Sequence, residues 1–409
     1  MFRLPFTFII TGMISFVLFH FLTFADFAGW VHSEPRSPDG WFHIHLLVLG
    51  WATMMAMGAV YQLINVVLQT ELHSKRLGYI HYGLFATGTL GLLAGFDQFN
   101  AKWIAAFATL AFAGILLFAW NIGATLLKAK LWNPITISTA CAIAYLCLTA
   151  LTGMLMGMDF KFNFLGIYHM RLLGAHIWLG TTGWFGLLIT GFSYKLLPMF
   201  YLAHQYPVSM QKWILGFWNA AVWLGCYGFL SGIAMFNAAA FSVLIIALAL
   251  YNIHIGQIAR AKHKKTAGAG IEWTVWSARM LLALVIMGTA AVFYNAELAS
   301  QTSLIVFMLW SYLYGWVAVT IMGYLSKIIP FLWWTYKYGP KAGKAKVPTM
   351  AQLLPEKPVY IGLSSIVLCM GGLLAGLGTN NSVMIMTAGM ALSVAAVIYM
   401  IRIGYVFTR

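Results

Sequence analysis

The sequence predicts an all-α, polytopic membrane protein with twelve transmembrane helices in three pseudo-symmetric repeats of four. Three observations carry that expectation. Charged residues make up 8% of the 409 positions, against about a quarter in soluble domains. Apolar stretches of roughly 20 residues, long enough to cross a hydrocarbon core about 30 Å thick, recur along the whole chain. A Gly-Trp helix also returns: Gly50-Trp51 and Gly58 reappear as Gly183-Trp184 and Gly191, then as Gly315-Trp316 and Gly323. The spacings are 133 residues (50 to 183) and 132 (183 to 315).

Taken in order, the apolar windows centre on 5–30, 42–69, 77–96, 101–126, 135–157 and 172–200, followed by 211–235, 238–258, 272–295, 303–333, 358–378 and 381–403. The first holds His20 and ends near Trp30, where the polar, Pro- and Gly-containing run VHSEPRSPDG reads as an outer loop. The second opens with His43 and His45. The third, seventh and eleventh end in a common signature, Gly91-Leu-Leu-Ala-Gly95, Gly228-Phe-Leu-Ser-Gly232 and Gly372-Leu-Leu-Ala-Gly376. Small residues four apart let membrane helices approach closely. With the Gly-Trp helix, this signature divides one membrane domain, 1–409, into repeats 1–132, 133–268 and 269–409. In register, His43 falls over His176 and Met308, His45 over Trp178 and Trp310, and Asn65 over Pro198 and Pro330, so each copy ends near a proline in two cases of three.

The net charge of +15 would suggest a nucleic-acid partner in a soluble protein, yet here its distribution speaks for topology. With the N-terminus inside, only Arg36, Lys102, Lys161 and Arg171 fall outside, and Arg279 lies within the ninth window. All other lysines and arginines, Lys128 and Lys130 among them, collect on the inner side. This asymmetry predicts a multi-pass protein of a bacterial inner membrane with both termini cytoplasmic, membrane lipid as its surroundings and no nucleic acid. The Lys-, Gly- and Pro-rich connection 335–358 reads as a solvated inner loop, with docking of a partner or anionic lipid as the alternative. Cys141, Cys147, Cys226 and Cys369 lie within spans and form no CxxC, so no disulfide framework or zinc ribbon is indicated.

Ionisable side chains in a bilayer are costly and mark working sites. Asp26, Glu34, Asp39, Asp97, Asp159 and Glu297 belong to outer loops or ends, and Glu71, Glu272 and Glu356 to the inner side. The mid-membrane carboxylate expected of a proton- or cation-coupled carrier is therefore missing. What remains is histidine. Neutral imidazole ligates iron or copper and is cheaper to bury than a carboxylate. His20, His43, His45 and His176 fall in the outer half, with His32 and His169 in the adjoining loops. Residues two apart on a helix point about 200° apart, so His43 and His45 serve different centres or different roles. The stripe His43, Gly50, Gly58 offers either a packing surface or a flat face for a macrocycle. His81 reads as a packing or interfacial residue, and His73, His204, His254 and His263 as solvated. Met154, Met156 and Met158 are core filler or soft ligands for copper(I). Trp30, Trp41, Trp333, Trp334 and Tyr336 are expected as interface anchors.

Twelve spans in three groups of four, with His43-Ile-His45-Leu46 ahead of a Gly-Trp helix and His176-Ile-Trp178-Leu179 on the sixth, resemble the catalytic subunit of heme-copper oxidases and nitric oxide reductases. The His-x-His-Leu pattern is also similar to nitric oxide response proteins of the NnrS type, with Leu46 where those often carry glutamate. The resemblance implies an oxidase subunit I-like fold and a histidine on the sixth helix as a metal ligand. Two departures oppose oxygen reduction: 232–237 lacks the family's paired histidines, and Met308 and Trp310 stand in register with its two heme ligands. Two heme arrangements follow: His45 with His176, leaving His43 for a second heme or metal, or His43 with Met308. The expected cofactor is heme, of b type, with copper as a further metal, and the donor a quinol or a cytochrome. The expected role is electron transfer or nitric oxide, heme or copper handling, as a heme-dependent oxidoreductase. The alternative is a cofactor-free transporter or assembly factor on the same scaffold.

Overall fold

A computed structural model describes residues 3–33, 35–68, 70–129, 131–295, 297–298 and 301–409. Glu34 and Lys130, expected in an outer and an inner loop, lie outside the described residues, as does the side chain of Asn65. Among the described residues the chain is helical throughout. Its long helices are α1 (Arg3–Thr23), α2 (Pro38–His45 continuing to Met54–Leu68), α3 (Lys75–Asp97), α4 (Ala101–Leu126), α5 (Pro134–Phe162) and α6 (Tyr168–Tyr201). They are followed by α7 (Met210–Ser231), α8 (Ala234–Arg260), α9 (Ala269–Tyr294), α10 (Thr302–Lys337), α11 (Glu356–Gly378) and α12 (Ser382–Gly404).

Of these, 11 are long and apolar enough to cross a membrane. The exception is α3. It opens on Lys75-Arg76, closes on Asp97, and carries His81, two tyrosines, two threonines and five glycines that dilute its leucines.

Contacts divide the chain into two units, each described by itself. Unit 1 comprises 1–58, 266–284 and 291–409, and unit 2 comprises 59–265 and 285–290. In unit 1, α1 packs on α2 and α12, and α11 pairs with α12. In unit 2, α3 pairs with α4, α4 with α5, and α7 with α8, while α6 packs on α5.

The signature glycines explain these pairings. A Cβ on Gly95 would stand 2.9 Å from Ile104 N, one on Gly228 2.8 Å from Asn237 N, and one on Gly376 2.9 Å from Ile385 N. Each is the point where a helix meets the first turns of the next, backbone to backbone. Gly232 has a different task. Its φ of +76° is the left-handed conformation that closes α7, with Gly232 N donating to Gly228 O.

The Gly-Trp helices behave alike in a way the sequence pattern does not announce. Regular α-helix gives way to a π-helical stretch at Leu46–Thr53, Leu179–Gly186 and Ser311–Ala318, spaced 133 (46 to 179) and 132 (179 to 311) residues apart. A π turn accommodates an extra residue by i→i+5 bonding and is rare outside functional sites. Gly-Trp occupies the same place in each stretch, and Trp51, Trp184 and Trp316 are all 1% exposed. The glycine eight residues on then abuts the helix that precedes it. Gly58 faces Phe8 and Pro5 of α1, Gly191 faces Ser138 of α5, and Gly323 faces Gly270 and Thr274 of α9. The glycine stripe is thus a packing surface, and the flat face for a macrocycle is already covered.

Three expectations are corrected. Helix α1 ends at Thr23 rather than near Trp30; the chain turns at Asp26, and Phe27, Trp30 and Val31 fold back into the core, so Trp30 is buried at 4% rather than an interface anchor. Pro330 does not end α10, which runs on to Lys337, because Ile329 and Leu332 beside it are fully buried and their packing holds the turn. His254 is 0% exposed, not solvated; Gln211 of α7 reaches its Nε2 at 3.1 Å and provides the polar partner that burial demands.

Candidate functional site

Helix α2 starts where Ser37 accepts the Gly40 N–H and Pro38 fills the first turn. Its first regular turns carry Asp39, Trp41, His43 and His45. His43 Nδ1 lies 2.9 Å from Asp39 O and 3.1 Å from Asp39 Oδ1, and His45 Nδ1 lies 2.7 Å from Trp41 O. A carbonyl oxygen only accepts, so Nδ1 carries a proton in both rings, and in the neutral form the electron pair lies on Nε2. The Trp30 indole stacks on His43 with centroids 5.0 Å apart and planes at 10°. Stacking covers a face of the imidazole; a metal binds in the ring plane, so Trp30 braces the ring without occupying its coordinating edge. Phe27, Trp310 and Phe42 complete the aromatic surroundings of this pair.

In unit 2, His176 on α6 lies in a notch of α5. Its Nδ1 is 2.9 Å from Thr149 O and 3.2 Å from Thr152 Oγ1, while Thr152 itself donates to Thr149 O at 2.8 Å. The ring fits because residue 153 is glycine: a Cβ there would come within 2.9 Å of His176 Cε1. The outcome is again an imidazole held through Nδ1 on a backbone carbonyl. That is the orientation in which metal-ligating histidines are commonly fixed, the second nitrogen bonded to a carbonyl or carboxylate. His43 is buried at 6%, and His45 and His176 are half-buried.

Of the other candidates, Met308 is half-buried in the last regular turn of α10 before its π stretch. Met308 and His43 both belong to unit 1, and His45 and His176 belong to different units. The positions in register with His45 are filled by indoles that pack instead: Trp178 donates to Ala221 O and Val222 O of α7, and Trp310 lies against Trp30 and Tyr314. His20, 1% exposed, has both ring nitrogens committed, Nε2 to Tyr314 OH at 2.8 Å and Nδ1 to Ser393 Oγ at 3.1 Å. It ties α1 to α10 and α12 and presents no nitrogen to a metal. His169 closes the loop after α5 on Asp159 Oδ2 at 2.8 Å. His32 lines a cavity of about 330 Å³ with Gln301, Thr302 and Asn380.

His43, His45 and His176 would suit axial positions on a heme iron, while the covered glycine stripe speaks against a flat seat for its macrocycle. Among the described residues no three His, Cys, Asp or Glu side chains come together to hold a metal ion, whereas a heme iron takes one or two axial ligands. A second observation concerns Trp51 and Trp184, equivalent residues of two π stretches. Each buries an indole N–H with no hydrogen-bond partner among the described residues. Unpaired buried donors cost about 1–3 kcal/mol and call for an explanation, such as an acceptor that a bound water or ligand would supply.

Sequence reasoning found the histidines and missed what holds them. Asp39 and Trp41 were legible, each standing four residues before its histidine, His43 or His45, on that histidine's own helix face. Thr149, Thr152 and Gly153 were not, because nothing in α6 names its neighbour. No protein-family model matches the chain, and no curated protein is similar enough to count as a relative.

Proposed function

We propose that this chain is a heme-binding integral membrane protein on an oxidase-like scaffold of three four-helix repeats, 1–132, 133–268 and 269–409, serving electron transfer or nitric oxide handling rather than oxygen reduction. One observation carries the reading: His43, His45 and His176 each fix Nδ1 on a main-chain carbonyl, the orientation in which Nε2 would be the nitrogen to coordinate a metal. Their position strengthens it, since His43 and His176 each stand three residues ahead of a π stretch (43 before 46, 176 before 179). The residues do the binding and orienting. Asp39 and Trp30 set the His43 ring, the Trp41 carbonyl sets His45, and the Thr149 carbonyl with Thr152 sets His176. Heme, when bound, supplies one-electron chemistry at iron, with a potential set by axial identity and burial. A b-type heme suits imidazole ligands, and a quinol or cytochrome is the matching electron donor.

The test is optical. Protein purified from heme-replete cells shows a Soret band, sharp α bands on reduction and a b-type pyridine hemochrome. His45→Ala and His176→Ala each shift or abolish these bands. Unchanged spectra in both variants refute the ligand assignment.

A cofactor-free transporter or assembly factor is the second reading, and the covered glycine stripe favours it: Gly58, Gly191 and Gly323 are spent on helix packing and leave no flat face for a porphyrin. A colourless preparation with the α-helical fold intact would decide for it.

A further inference from the structure

Helix α10 ends in aromatic residues, and the chain beyond it is tied down rather than loose. Trp334 Nε1 donates to Pro348 O at 2.6 Å, and Arg409 Nη1 donates to Gln352 O at 2.6 Å. Thr349 and Gln352 close a capping box over the short helix Met350–Leu353. Between these anchors the backbone makes successive tight turns: Lys341 N donates to Tyr338 O at 2.9 Å, Lys344 N and Ala345 N both donate to Lys341 O at 3.1 Å, and Gly343 supplies a φ of +76°. Lys341, Lys344 and Lys346 thereby stand on one short run of turns, all exposed. Lys337 links them to the aromatic end of α10, its ammonium 5.6 Å from the Trp333 ring centroid and 5.5 Å from that of Tyr338 and donating to Arg409 O.

Among the described residues Lys341, Lys344 and Lys346 have no acidic side chain against them, whereas Lys337 is engaged by Arg409 O. No Asp or Glu occurs between Lys327 and Glu356, and Glu356 is engaged by Lys327 and by Ala269 N. A merely solvated run of like charges repels itself and spreads; this one is folded into a fixed shape. Beside it lies an apolar shelf: Phe6 meets Trp333, Tyr336 and Phe407 edge-on at 6.5, 6.4 and 5.8 Å. Tyr336 is 52% exposed. Exposed lysines following a half-buried aromatic shelf at the end of a helix long and apolar enough to cross a membrane match a ligand with an anionic head and an apolar tail.

We propose that Lys341, Lys344 and Lys346 form a headgroup site for an anionic phospholipid, whose acyl chains lie against the Phe6–Trp333–Tyr336 shelf. The site stands independently of any heme. Native mass spectrometry of the full chain, released from bilayers of phosphatidylcholine with or without phosphatidylglycerol, tests it. The wild-type chain retains phosphatidylglycerol, and the triple variant K341Q/K344Q/K346Q retains it on the order of a hundredfold less tightly, as three ammonium groups near a membrane surface imply. The triple Lys→Arg variant keeps the lipid, and K262Q/K264Q/K265Q, which removes equal charge from another exposed loop, leaves retention unchanged. Equal loss in both Gln variants, or no loss in the first, overturns the proposal. Displacement of the lipid by inorganic phosphate would also overturn it, assigning the site to the free anion.

Discussion

At the residue scale, the fit of His176 against α5 is the most exacting feature. Gly153→Ala places a methyl within 2.9 Å of Cε1 and 3.3 Å of Nδ1, so the ring must swing and its bond to Thr149 O must lengthen. A loss of about 1–3 kcal/mol in unfolding free energy is expected from such overpacking, along with a change in any His176-dependent absorption band. Thr152→Val removes the hydroxyl without the clash and should leave stability within about 1.5 kcal/mol while altering the band position. A Gly153→Ala protein identical to wild type in both measurements would show that the notch is not tight. The histidines were readable because imidazoles in apolar spans stand out. Their environments were not, since whether a ring is buried depends on another helix: His254, close in sequence to Arg260 and Lys262, was drawn inside by Gln211, and Trp30 by its stack on His43.

At the scale of the element, glycine spacing forecast where helices touch, and the contacts follow it at Gly95, Gly228 and Gly376 and at Gly58, Gly191 and Gly323. Gly323→Ala drives a methyl into the backbone of Gly270 and is expected to cost at least about 1–3 kcal/mol. A Cβ on Gly83 or Gly371 would meet nothing within 4 Å, so Ala there should be neutral or stabilising by up to about 1 kcal/mol through helix propensity. Thermal unfolding in detergent ranks the three variants, and a Gly323→Ala chain as stable as Gly83→Ala would contradict the packing account. The π stretches are illegible in the sequence for a physical reason. A hydrophobic period can be read only against polar residues, and LLVLGWAT, LGTTGWFG and SYLYGWVA are nearly apolar all round. Their equal spacing is there to be counted, but a wide turn leaves no mark in composition.

At the scale of the whole molecule, composition alone forecast a polytopic helical membrane protein, and 11 apolar helices of sufficient length bear out that coarser statement. The weak case, α3, is weak because glycine serves its contact with α4 while contributing little hydrophobicity. Orientation rests on charge. Single cysteines replacing Lys102 or Arg171 should react with a membrane-impermeant maleimide in intact spheroplasts, and cysteines replacing Lys264 or Lys344 only after lysis. The reverse pattern would invert the topology and with it the side to which the histidines are assigned.

The wide turns at Leu46–Thr53, Leu179–Gly186 and Ser311–Ala318 carry a consequence for heredity as much as for geometry. Excising one codon within such a stretch lets the backbone revert to ordinary winding with both flanks still in register, because the wider turn is what absorbed the extra residue. The bearing of each imidazole is therefore insulated from a change of head-count several residues away, and a lineage could gain or lose a wide turn without swinging the ring.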